Sequence, residues 1–193
     1  MATSVSEKSK KLSRLFAFMI IFGLIAMVFG YFGPIVRQSG TAFDAGRGID
    51  SLVKLDKEIK DRAEREIAET GSTNFTGLKG IGALKFFAKV VFILGIVTLV
   101  WFVLLCVLYI ENPELIYLVI GGLTVLASIL SFIFVLIVLS SYKSYQTLAG
   151  IEDVSVYGLS YGGFCLSIGG LLFGGGTAGM ALTTPKVEVL HKG

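Results

Sequence analysis

Polar and apolar positions along this chain separate into blocks instead of alternating. Uncharged apolar stretches run 15–36, from Val90 to 110, 115–142 and 154–185, with nearly all charge placed between them or at the ends. A hydrocarbon core about 30 Å thick needs roughly 20 helical residues, so each stretch is long enough to cross, and the last two have length left for tilt or an interfacial extension. Inside lipid, a helix satisfies its own backbone within one segment. The pattern predicts an all-α fold, a four-helix transmembrane bundle with spans at 15–36, 86–110, 115–142 and 154–185. Lys89 sits at the entrance of the second span, where it can snorkel to the headgroups.

The joints fit these boundaries. Residues 1–14 form a basic N-terminal tail, and Arg14 and Arg37 bracket the first span. The tail and the apolar run resemble the start of a signal peptide, but the run is long and lacks a small-x-small cleavage site, so it reads as an uncleaved span. Residues 111–114, Glu-Asn-Pro-Glu, make a tight turn that sets spans two and three antiparallel. A short loop at 143–153, with Gly150 and Glu152-Asp153, joins spans three and four, and 186–193 is a C-terminal tail. Tyr31, Tyr109, Tyr117, Tyr142, Tyr145 and Tyr157 fall at span ends, as an aromatic belt would.

The extramembrane loop at 37–85 changes period. Ile49, Leu52, Val53, Ile59, Ala63 and Ile67 recur every 3 to 4 residues and Gly71 supplies a stop, which predicts an amphipathic helix over about 50–70. Glu58 to Arg62 and Asp61 to Arg65 are acid-before-base pairs at i,i+4 on that helix. The helix is read as a solvated one lying against the bundle end or a neighbouring subunit, with a dedicated ligand-binding element as the alternative. The stretch after it, 71–82, is rich in Gly, Ser and Thr and reads as a flexible connector.

Within the spans, small residues form stripes. In the fourth, Ser160, Gly163, Ser167, Gly170, Gly174, Thr177 and Ala181 recur at alternating intervals of 3 and 4, and Gly170-xxx-Gly174 and Gly175-xxx-Gly179 are small-xxx-small motifs. Phe164, Leu171, Leu172 and Phe173 are read onto other faces. The first span carries Gly23, Ala26, Gly30 and Gly33, and the third carries Gly121, Thr124, Ser128 and Ser131. Between helices in lipid, close backbone approach supplies the van der Waals contact, so these residues are the candidate packing surfaces of spans one, three and four. Two other readings stay open: a fourth-span stripe that faces another subunit, and simple enrichment of glycine in membrane helices.

Composition narrows the chemistry. Hydrophobic residues make up 54% of the chain and charged residues 16%, with a mean hydropathy of +0.80, which does not suit a water-soluble surface. The net charge of +3 is small and the loop's basic residues are interleaved with acids, so nucleic acid is not an expected partner. Cys106 and Cys165 both lie in apolar runs and offer neither a disulfide framework nor a zinc site. No charged residue occurs inside the spans, where transport chemistry places its binding groups. His191 is a tail residue without a neighbouring nucleophile, and the Gly174-Gly175-Gly176 run lacks the Lys-Ser/Thr of a phosphate loop. The expectation is a protein that is not an enzyme and has no cofactor and no metal.

Orientation signals compete. Lys8, Lys10, Lys11 and Arg14 precede the first span, while Arg37 and Arg47 follow it alongside Asp44 and Asp50, which favours cytoplasmic termini. The large loop would then be extracellular or lumenal, and its Asn74-Phe75-Thr76 sequon, about a dozen residues before the second span, a possible glycosylation site. Against this, the loop holds more Lys and Arg, including Lys79 and Lys85, than both tails, and Tyr145-Gln146-Thr147-Leu148 has the form of a sorting tetrapeptide.

Four spans, a long first loop, a tight second turn and a short third loop resemble the layout of the claudin, peripheral-myelin-protein and fungal Sur7 superfamily over nearly the whole chain. Tetraspanins, whose large loop lies between spans three and four, are less similar. The claudin-type Trp-Gly-Leu-Trp motif and Cys pair are absent from the first loop, so the resemblance implies a layout and no functional residue. The expected function is a structural, adhesion or membrane-organising component of the plasma membrane or an endomembrane. Its expected partners are the lipid bilayer and further copies of itself or other membrane proteins. The alternative is a pore-forming or auxiliary subunit of an oligomeric channel.

Overall fold

The computed structural model describes residues 2–38, 46–74, 76–107, 114–150 and 156–183. In chain order these form α1 (Ala2–Phe32), β1 (Val36–Gln38), α2 (Ile49–Thr70), α3 (Ile81–Val107), α4 (Glu114–Leu148), β2 (Tyr157–Leu159) and α5 (Tyr161–Thr183). Helices α1, α3, α4 and α5 are each long and apolar enough to cross a membrane. The chain is an all-α, four-span bundle and a multi-pass membrane protein. Residues 111–113, the side chain of Cys106, Tyr109, Phe75, Glu152-Asp153 and the tail with His191 lie outside the described residues.

Spatial order differs from chain order. Helix α5 lies between α1 and α4 and runs antiparallel to both: Phe16 meets Gly179 and Gly30 meets Leu166 on one side, while Gly121 meets Ala178 and Val135 meets Gly163 on the other. Helix α3 flanks α4, also antiparallel, through stacked Phe87 and Phe134 (5.5 Å) and through Phe102 on Tyr117 (5.2 Å). The ring closes between α3 and α1, where Tyr31 stacks on Phe92 at 4.6 Å and Met27 fills the space beside Gly95.

Several element ends depart from the hydropathy boundaries, each for a local reason. Residues 2–14 continue α1 instead of forming a separate tail. Helix α1 stops at Phe32, short of 36, because Pro34 lacks an N–H and disfavours helical geometry in Gly33 before it. Helix α3 begins at Ile81, ahead of 86, directly after Gly80 turns the chain at φ +82°. Helix α4 runs past 142 to Leu148, so most of the predicted 143–153 loop is helix, and it ends at Gly150, whose φ is +88°. Tyr145 to Leu148 is therefore the last turn of a helix, not an extended tetrapeptide. The fourth span starts at Tyr161 instead of 154, because Tyr157–Leu159 pairs as a strand.

That strand joins two loops. β1 and β2 are antiparallel, with Val36 opposite Leu159, Arg37 opposite Gly158 and Gln38 opposite Tyr157. The Arg47 amide donates to the Val36 carbonyl (2.8 Å), and the Ser160 and Gly162 amides donate to the Ile35 and Pro34 carbonyls (2.9 Å each). The loop after the first span and the loop before the fourth are thus sewn together at one end of the bundle.

Helix α2 covers that same end. It leaves an extended Gly48 and closes at Gly71, in the left-handed region at φ +79°, whose amide donates to the Ile67 carbonyl. This is the stop the sequence predicts. Ile49, Leu52, Leu55, Asp56, Ile59 and Ala63 are buried beneath it, while Ile67 is 49% exposed because the last turns extend past the seat. The predicted pairing of Glu58 with Arg62 and Asp61 with Arg65 is replaced. Lys60 pairs with Asp56 at 2.7 Å, and the Arg65 Nε donates to the Asp61 carbonyl instead of its carboxylate.

Candidate functional site: the seams of α5 and the covered end

The sequence stripe on the fourth span faces α4. A β-carbon placed on Gly174 would lie 2.7 Å from the Gly121 carbonyl oxygen, and one on Gly163 would lie 3.0 Å from Val135. One on Gly170 would collide with the Ser128 hydroxyl. Ser167, Thr177 and Ala181 are buried along the same row. Ser160 is not part of the helical face: it sits in the turn between β2 and α5 and its backbone amide ties that turn to Ile35. Gly175 is also apart from the contact, with only the end of Met19 nearby at 3.7 Å.

A second row, turned toward α1, is absent from the sequence reading. A β-carbon on Gly169 would lie 2.6 Å from the Met27 amide nitrogen, one on Gly176 3.0 Å from the Phe16 carbonyl oxygen, and one on Gly162 against the Pro34 and Gly33 carbonyls. From the other side, Gly23 abuts the Phe173 backbone, Gly30 abuts Leu166, and Gly33 meets Tyr161 and Gly162. Ala26 faces Gly169. Of the large residues read onto faces other than the stripe, Phe173 is completely buried in this row, whereas Phe164 and Leu171 are exposed. The signal that was available is the seven-residue repeat Gly162, Gly169, Gly176, offset by one from the other stripe.

The α4 hydroxyls turn inward. Thr124 donates to the Ile120 carbonyl (2.8 Å) and Ser128 to the Thr124 carbonyl (2.7 Å), and Thr124, Ser128 and Ser131 are all fully buried. Back-bonding to the preceding turn lets the Thr124 and Ser128 hydroxyls occupy an apolar interior, whereas the Ser131 hydroxyl is buried without a hydrogen-bond partner among the described residues. Cys165 carries a free thiol.

At the covered end, Asp56 is the organising group and was not singled out by the sequence. Its Oδ1 accepts from the Leu78 amide at 2.6 Å and its Oδ2 from Lys60 at 2.7 Å. Gly77 has φ +81°, and a β-carbon there would lie 2.7 Å from Asp56 Oδ1, so glycine is required on both counts. The Lys79 amide donates to Ser141 on α4 (2.9 Å), and Lys85 pairs with Asp50 at 3.6 Å. Residues 77–80 are therefore clamped and 81–82 already belong to α3, which corrects the flexible reading of that half of 71–82.

Two recesses flank the projecting end of α4. One, about 340 Å³, is lined by Asn74, Lys79, Ser141, Ser144 and Tyr145 among others. Asn74 is exposed on its rim, only seven residues ahead of the start of α3, closer to the membrane than the sequence reading placed it. The other, about 260 Å³, is lined by Arg37, Arg47, Tyr142, Gln146 and Tyr157 beside the small sheet. Tyr142 and Tyr157 are buried edge to face at 5.3 Å and pack as a pair instead of anchoring a belt. Burial pushes the Tyr157 phenol above its ordinary range; Tyr142 adds to the rise and Arg47 opposes it.

Comparison with protein-family models, with curated proteins and with solved structures finds no match to this chain.

Proposed function

We propose that the protein is a non-catalytic structural, adhesion or membrane-organising component that works by contact, through its lipid-facing helices and the charged face of α2. The observation that carries this reading is the mounting of α2. A helix with eight buried or half-buried positions is clamped across one end of the bundle by Asp56, while Lys54, Lys57, Glu58, Asp61, Arg62, Glu64 and Arg65 stay exposed on its other face. A fixed, mixed-charge surface suits recognition of a neighbour better than conduction or catalysis. The inward-turned α4 hydroxyls support the same choice over an oligomeric channel, since the faces left for a pore are apolar.

The termini are proposed to be cytoplasmic and α2 extracellular or lumenal, in the plasma membrane or an endomembrane, with further copies or other membrane proteins as partners. A gel-mobility shift lost in Asn74→Gln supports that orientation. A glycan on an acceptor introduced before Arg14, with Asn74 bare, contradicts it. For the function itself, the full chain in nanodiscs is imaged at moderate resolution. A monomer, filament or sheet is expected, and a closed ring around a water-filled axis overturns the reading in favour of a channel.

A further inference from the structure

The recess between the β1–β2 sheet and α4 brings together two arginines that no carboxylate neutralises among the described residues. Arg47 is held there by its backbone bridge to Val36, and Arg37 lies one position along the same sheet, opposite Gly158. The Arg37 side chain lies over the neighbouring strand at Gly158, with Nε 3.9 Å from where a β-carbon would be. Val36, Gln38, Tyr142, Gln146 and Tyr157 complete the walls. Among the described residues, no carboxylate lines the recess and neither arginine has an ion-pair partner. Two guanidiniums sharing one recess repel each other until an anion is shared between them, and their planar forks match the oxygens of a phosphate.

Depth selects the source of that phosphate. Val135 of α4 packs on Gly163, just inside the start of α5, so Tyr142 stands about 7 Å beyond the level of Tyr161 at 1.5 Å per residue. The headgroup layer extends roughly 5–7 Å beyond the hydrocarbon on each side. With the start of α5 placed at the hydrocarbon edge, the recess falls within the headgroup layer, and its volume of about 260 Å³ takes a phosphodiester with part of its headgroup.

We propose that Arg37 and Arg47, with Tyr142, Tyr157 and Gln146, bind the phosphate of a phospholipid in the leaflet on the α2 side. The site requires only that the four helices span a bilayer and is independent of whether the protein organises its neighbours.

The test is native mass spectrometry of the delipidated full chain in detergent. It is titrated with phosphatidylglycerol, with diacylglycerol of the same acyl chains, and with phosphatidylglycerol in the presence of inorganic phosphate. Phosphatidylglycerol is expected to bind at least about tenfold more tightly than diacylglycerol, and Arg37→Gln/Arg47→Gln to remove at least about tenfold of that affinity. Lys79→Gln, in the other recess, is expected to change it less than about twofold. Equal binding of diacylglycerol, or full retention of phosphatidylglycerol by the double variant, overturns the proposal. Displacement of the lipid by an equal concentration of inorganic phosphate overturns the lipid source and leaves a site for free phosphate. Should the double variant lose its folded state, Arg37→Gln alone, at an exposed side chain, gives the same reading: lowered affinity supports the site and unchanged affinity overturns it.

Discussion

Helices α5 and α3 are both apolar spans, yet they are held in the bundle by different means. Helix α5 presents glycine to two neighbours at once, so backbone lies on backbone along both flanks: Gly169 on Met27 and Gly23 on Phe173 toward α1, Gly174 on Gly121 toward α4. Helix α3 is attached by side chains, chiefly Phe87 on Phe134, Phe102 on Tyr117 and Phe92 on Tyr31. The first kind of contact leaves no room for a β-carbon, whereas the second can be trimmed or repacked. Tolerance to substitution should therefore divide sharply between the two helices.

The largest effect is expected at the α1–α5 seam. Gly169→Leu and Gly23→Leu each drive a side chain into the facing backbone, and a loss of about 3 kcal/mol or more is expected, at or above the upper end of ordinary overpacking. Thermal or denaturant unfolding in detergent reads it, and near-wild-type stability for either variant breaks the contrast. Next comes the clamp at the covered end. Asp56→Ala removes the acceptor of the buried Leu78 amide and the partner of Lys60, at a cost of about 1–3 kcal/mol. Hydrogen exchange should accelerate at 77–80 while the seams of α5 stay protected. A smaller effect belongs to α3: Phe87→Leu keeps the apolar bulk and loses the ring stack on Phe134, worth about 0.5–1.5 kcal/mol. If it destabilises as strongly as Gly169→Leu, the two helices are not different in kind.

How far the sequence revealed these features depends on the range of the interaction. The spans follow from composition alone, and α2 follows from period and from Gly71, because both signals are local. Helix ends such as Leu148 and Tyr161 were misplaced because hydropathy measures how apolar a segment is and not which backbone it adopts; Tyr157–Leu159 is apolar and still a strand. The α4-facing stripe of α5 was legible, but the α1-facing row was hidden. In a helix so rich in small residues, one stripe does not exclude another, and only the facing chain shows that both are used. Asp56 was illegible for a different reason: its partner Leu78 lies 22 residues away, and nothing in an acidic residue on an amphipathic helix marks it as the buried one.

The central claim is that the glycine rows of α5 are spent inside one protomer. The most direct measurement is Gly170→Leu, followed by unfolding in detergent and by native mass spectrometry of the assembly state. Because a side chain at 170 meets Ser128 and Val91 of the same chain, loss of the folded monomer is expected. A monomer with wild-type stability, whether or not a larger assembly disappears, contradicts the account and would place that face of α5 against another subunit or the lipid.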